Sequence, residues 1–141
     1  MIEISPHWFA HKRRDSMANK NYVDFSAAYK AINKTKKDLE KSEVIAIEEA
    51  AKFAAKELEK KTPISSESHQ HAKDNIVYSK PTRGKPHSEV GFDKEVAWRI
   101  HFVEFGTIFQ RPQPFIEKTI KDIESEVSTI IQKEMQRRMG L

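Results

Sequence analysis

Hydrophobic spacing divides the chain into helical ends and a short-period middle. Over residues 24–33 the apolar positions Phe25, Ala28, Tyr29 and Ile32 recur at helical intervals, with Ser26 placed to help cap the start. A longer helix is expected over 37–61. That stretch has no Gly or Pro, and Leu39, Ile47, Ala50, Ala51, Ala54 and Leu58 fall broadly on one side, opposite Glu and Lys. Thr62-Pro63 ends it, because a residue before proline avoids the α region. The polar stretch ISSESHQH that follows reads as a loop.

The period then shortens. NIVYS (75–79) is β-branched, and SEVGF (88–92) alternates with Val90 and Phe92 on one face. Between them, KPTRGKP has the prolines and glycine of a hairpin-type connection. EVAWRIHFVEF (95–105) also alternates, Val96, Trp98, Ile100 and Phe102 pointing one way. It reads as a strand with one buried face, although a short helix would also bring Trp98, Phe102 and Phe105 together. Gly106-Thr107 breaks this pattern. From Pro114 to about Met139, Ile116, Ile120, Ile123, Val127, Ile130, Ile131 and Met135 mark a long amphipathic helix. Pro114 suits its first turn, Arg137 and Arg138 the negative end of its dipole, and Gly140 its stop. The expected fold class is α+β: a small antiparallel sheet of two or three strands packed against a long N-terminal and a long C-terminal helix. Residues 1–20 read as a flexible basic arm and 21–141 as a single domain. So small a sheet leaves its edges to be covered by something else.

Composition narrows the function classes. The 141 residues are 38% hydrophobic and 33% charged, enough for one modest core. No apolar run reaches membrane-spanning length, and the first residues lack the apolar segment of a secretory signal. Cysteine is absent, which removes disulfides, thiol nucleophiles and thiolate metal sites. The charge of +4 comes from 25 basic and 21 acidic residues, interleaved as on solvated helix faces. Two basic clusters stand out: HKRR, with Lys12, Arg13 and Arg14, and KPTRGKPH, with Lys80, Arg83 and Lys85. Either could touch DNA or an acidic neighbour.

Catalytic signatures are weak. His69 and His71, with His87 or His101 as further ligands, could sit near a metal. The pair lies, however, in a Ser-rich loop without an acid at a ligand spacing, and exposed loop histidines account for it far better than a metal would. Asp93, Glu95 and Glu104 could suggest a metal-dependent hydrolase. A partly buried Glu104, however, needs a partner, and Arg99 or Arg111 could serve as a structural one. Ser65, Ser66 and Ser68 have no nucleophile-elbow context, and TRGKPH lacks the spacing of a phosphate loop. No enzyme and no cofactor is expected. HFVEFGTIFQRPQPFIEKTI has another logic. Gly106 permits a conformation or contact that a side chain forbids, Thr107 can bond nearby backbone, and the prolines force extended backbone at Arg111 and Gln113. The result is a stiff passage into the last helix.

The same residues resemble a family of phage minor tail components, the head–tail joining or tail-completion proteins of long non-contractile-tailed phages. The likeness rests on Phe102, Val103, Glu104, Phe105, Gly106 and Thr107, followed by Pro112, Pro114 and Phe115. Thr62-Pro63 and HAKDNI (71–76) occur upstream in the family's order, and the likeness covers roughly 24–135. Two departures are Lys118-Thr119, where Pro-Ala is common, and Ala72, where leucine is. The resemblance implies a non-enzymatic virion part at the head–tail interface, assembled in the bacterial host cytoplasm. Its implied partners are copies of itself in a six-fold ring, a head-side connector or stopper, a tail tube or tail terminator, and the genomic DNA passing through; no membrane is involved. Glu104, Phe105, Gly106, Thr107, Arg111, Pro112, Pro114 and Phe115 become the candidate subunit or partner interface. The alternative is a nucleic-acid-binding module using the basic arm and the 80–87 loop. A third reading, a metal-dependent hydrolase at His69 and His71, requires bound metal.

Overall fold

The computed structural model describes residues 23–65 and 71–140, so the expected basic arm lies outside the described residues. Three helices, one 3-10 turn and two short strands make up the described chain. Helix α1 is Ser26–Lys61, followed by the 3-10 turn Ala72–Asn75, strands β1 Ile76–Tyr78 and β2 Val90–Phe92, helix α2 Lys94–Phe105 and helix α3 Phe115–Met139. The architecture is α+β, with long helices at both ends and a two-stranded antiparallel sheet.

The two helical stretches expected at the start form one element, because nothing between Asn33 and Lys37 breaks a helix. Its first turn is capped by Asp24 rather than Ser26: Asp24 Oδ1 accepts the Ser26 N–H at 2.9 Å. Compact units comprise residues up to Leu39 and from Glu40 onward. In the first, Phe25, Ile32 and Leu39 lie 55%, 67% and 45% exposed. Leu39 is therefore not on the packed side, which begins at Ser42.

In the second unit, Ser42, Ala46, Ala50, Ala51 and Leu58 form the buried line of α1. Alanines there allow another element to approach closely. Helix α3 runs antiparallel beside it, as two contacts show: Ser42 Oγ donates to Met139 Sδ at 3.7 Å, and Lys61 Nζ bonds Asp122. Thr62 closes α1, its N–H and hydroxyl both donating to the Leu58 carbonyl (2.9 and 2.6 Å). The strands pair as Ile76 with Phe92, Val77 with Gly91 and Tyr78 with Val90.

The stretch 95–105 is a helix, not a strand. Asp93 is its N-cap, accepting the Lys94 N–H at 2.6 Å. Val96, Ile100 and Glu104 are its buried residues, four apart, on one helical line. The alternation that suggested a strand is accidental: Trp98 and Phe102 are 63% and 46% exposed. Only every second member of the apparent apolar face reaches the core.

That core centres on Leu58, Ile100 and Phe115, with Ile76, Val90, Phe92 and Val103 packed around them. Phe92 and Phe115 meet edge to face at 6.0 Å. All the described elements of the second unit meet at this cluster, so Phe115→Ala should cost about 3–5 kcal/mol. Urea denaturation followed by circular dichroism should show the lowered midpoint.

Candidate functional site

The passage from α2 to α3 is built by backbone hydrogen bonds around one glycine. Gly106 has φ 75° and ψ 175°, and its N–H still donates to the Phe102 carbonyl, closing α2. A Cβ at this position would meet Gln110 O and Pro112 N at 2.8 Å, both backbone atoms. Conformation and space therefore both demand glycine.

Thr107 then folds the chain into a tight turn. Its N–H donates to Gln110 O (2.9 Å), and Gln110 returns the bond to Thr107 O (3.3 Å). The Thr107 hydroxyl oxygen accepts from the N–H groups of Phe109 and Gln110 at 3.2 and 3.1 Å. At the tip stand Ile108 and Phe109, 92% and 94% exposed. The turn closes onto α2 through the Gln113 N–H, which donates to Val103 O at 2.8 Å.

Helix α3 opens with Pro114 as N-cap, a residue whose side chain cannot cap. Glu104 does this from α2. The Ile116 N–H donates to its Oε2 and the Glu117 N–H to its Oε1, each at 3.1 Å. Phe115 N–H finds Gln113 O at 2.8 Å, and Lys118 N–H makes the first bond back to Pro114 O. The open donors of the first turn are thereby all satisfied. A carboxylate at this end also opposes the positive pole of the helix dipole. Glu104 is 8% exposed. Its partners are thus backbone N–H groups, not the Arg99 or Arg111 expected from sequence. Glu117 turns its own side chain outward, where the hydrogen bond from Lys121 (2.9 Å) holds its carboxyl below the usual glutamate value.

The outward face of α2 is aromatic. Trp98 meets Phe102 edge to face at 6.4 Å, and His101 lies between Phe102 (5.8 Å) and Phe105 (5.0 Å). Arg99 sits over the Trp98 ring at 6.0 Å. Phe105 is 70% exposed. A second projection is the connection between β1 and β2. Thr82 and Lys85 bond each other's backbone at 3.1 Å in both directions, putting Arg83 and Gly84 at the tip. Lys80, Arg83 and Lys85 are all exposed there.

The residues singled out in 104–115 thus separate by position. Glu104 and Phe115 are buried, Gly106 and Pro114 half-buried, and Phe105, Thr107, Arg111 and Pro112 exposed. Lys12, Arg13, Arg14 and His69 lie outside the described residues. Sequence reasoning passed over Ile108 and Phe109. Their signal was two large apolar residues between a Gly-Thr turn and Gln-Arg-Pro, where a core position is implausible. A cleft of about 250 Å³ is lined by Thr62, His71, Arg99 and Gln110, with no carboxylate among the described residues of its wall. Among the described residues, no group of three or more His, Asp or Glu could hold a metal. No helix among them is long and apolar enough to cross a membrane.

A family model described as "Bacteriophage HK97-gp10, putative tail-component" matches residues 26–106, from the start of α1 to the glycine that ends α2. The chain belongs to that family. Membership places it among phage tail components, structural parts of the virion. No curated protein and no solved structure matches the chain. The matched region holds Glu104 but not the α3 N–H groups it caps.

Because Glu104 and Gly106 shape the connection from opposite ends, two substitutions test it separately. Glu104→Ala should cost about 2–3 kcal/mol, with Glu104→Gln in between because one acceptor remains. Gly106→Ala should cost roughly 1–3 kcal/mol through backbone strain and collision. Chemical denaturation measures both, and an unchanged midpoint for either would contradict the roles assigned.

Proposed function

We propose that this tail component joins the phage head to its tail. In this reading it is a non-enzymatic tail-completion or connector part, working as a six-fold ring that DNA passes through. Its neighbours are a head-side connector or stopper and a tail tube or terminator. The observation that carries the reading is the turn at 107–110. A soluble chain gains nothing from displaying Ile108 and Phe109 almost fully to water, yet glycine, a threonine hydroxyl and four backbone hydrogen bonds hold them there. A rigid apolar projection suits docking, because little conformational entropy remains to be lost on binding. The interface residues are accordingly Phe105, Thr107, Ile108 and Phe109, with Glu104, Gly106, Pro112, Pro114 and Phe115 holding them in place and Arg111 at the rim.

A second reading, DNA binding, is favoured by the β1–β2 connection. From Lys80 to Ser88 there is no acidic residue, and the Thr82–Lys85 bridge fixes the basic tip. Lys12, Arg13 and Arg14 would add to it. Such contacts would be sequence-independent and weakened by salt.

Removing the gene from its phage should leave filled heads and separate tails in electron micrographs. Normal infectious particles would overturn the joining role. Replacing Phe109 by Asp should give a folded protein that fails to restore joining. For the second reading, gel retardation of duplex DNA at low salt should disappear when Lys80, Arg83 and Lys85 are changed to Gln. Absence of any retardation by the unaltered protein would remove it.

A further inference from the structure

Besides the turn tip at Ile108 and Phe109, two helical apolar surfaces are exposed among the described residues, on different helices. One is the aromatic face of α2, where Trp98, Phe102 and Phe105 are 63%, 46% and 70% exposed. Their spacings of four and three residues make a helical stripe. The other lies at the start of α1, where Val23, Phe25, Ile32 and Leu39 are 61%, 55%, 67% and 45% exposed. Phe25, Ile32 and Leu39 recur every seven residues, the interval at which one helix keeps a seam toward another. Resting on the reading of the protein as a self-assembling virion part, we propose that the α1 stripe of one copy packs on the α2 aromatic face of a second copy.

Area supports this occupant. Each surface presents on the order of 400 Å² of exposed apolar side chain, taking ordinary areas for these residue types. Protein interfaces are a little over half apolar, so joining the two corresponds to roughly 1,300 Å² in total, inside the range of stable interfaces. A small ligand or an extended peptide would leave most of either stripe wet. Energetics point the same way. A helical segment of α1's first turns gains little stability in water from propensity alone, and burying its apolar side is what fixes such helices. Because the two surfaces are different, the contact is head-to-tail, and repetition generates a closed ring or a filament rather than a symmetric pair. The contact is apolar, so added salt should leave it intact, unlike phosphate binding by the β1–β2 tip.

The chain has no cysteine, which makes the test direct. Ile32→Cys and Phe105→Cys, each in the full chain, are mixed under mild oxidation. Covalent dimers should form in the mixture well above either variant alone, and the double variant should give a ladder of multimers. No cross-link, or Phe105→Cys pairing with itself as readily, would overturn the proposal. Ile32→Glu and Phe105→Glu, both at exposed positions, should each weaken association at least about tenfold in sedimentation. Unchanged circular dichroism would show that neither has unfolded. A phage carrying Ile32→Glu that joins heads and tails normally would sink this interface and leave the joining role standing. Normal particles without the gene would sink the role and not the interface.

Discussion

The hydrogen bonds from the Ile116 and Glu117 N–H groups to the Glu104 carboxylate fix where α3 begins and how it leaves α2. A helix N-terminus ordinarily takes its acceptor from the residue just before it. Here that residue is proline, and the acceptor comes from the preceding helix, twelve and thirteen residues back. The arrangement works only if Glu104 lies on the buried line of α2 with Val96 and Ile100, which places its carboxylate beside the core cluster. It also requires the chain between to return sharply. Gly106 meets that need with a positive φ and with no Cβ against Gln110 and Pro112. Cap, glycine and proline are therefore parts of one device, and Phe115 enters the core because of it.

That device explains what could and could not be read from residue order. The long helices were legible because their apolar spacing persists over many turns and their stops, Thr62-Pro63 and Gly140, are chemically explicit. The paired strands were legible from β-branched residues flanking a proline–glycine connection. Helix α2 was not, because Val96, Trp98, Ile100 and Phe102 satisfy a period of two by coincidence while burial follows a period of four. The need of Glu104 for a structural partner was foreseeable from its apolar surroundings. The identity of that partner was not, since backbone N–H groups leave no mark on side-chain sequence. An arginine search looks for the wrong donor. Likewise the firmness with which Ile108 and Phe109 are displayed depends on the turn bonds of Thr107, which residue order does not reveal.

The extent of the family match gains meaning from the same contact. It covers 26–106 and stops at the glycine. Glu104 lies inside it, buried, and its hydrogen-bond donors lie outside. A buried carboxylate without them would bear the cost of desolvation uncompensated. Residues 107–117 must then belong to the same folding unit, whatever the sequence likeness says. The unlike residue pair Lys118-Thr119 does not disturb this, because the Thr119 hydroxyl bonds the Phe115 carbonyl at 2.6 Å and is buried within the helix.

Helix α2 also divides stability from assembly along its own axis. Its inward line of Val96, Ile100 and Glu104 holds the core and caps α3. Its outward line of Trp98, Phe102 and Phe105 contributes little burial to the single chain. Rings in mutual contact on that outer face keep a fixed shape even while exposed, because each restricts its neighbour. The inner line thereby determines the angle at which the outer one is presented. The turn that follows is anchored to the same helix through Gly106 and Gln113, so the exposed aromatic face and the apolar tip share a single rigid support. A chain with a core of this size can hold such surfaces in water only if the fold does not depend on them. The separation of the two lines of α2 meets that condition.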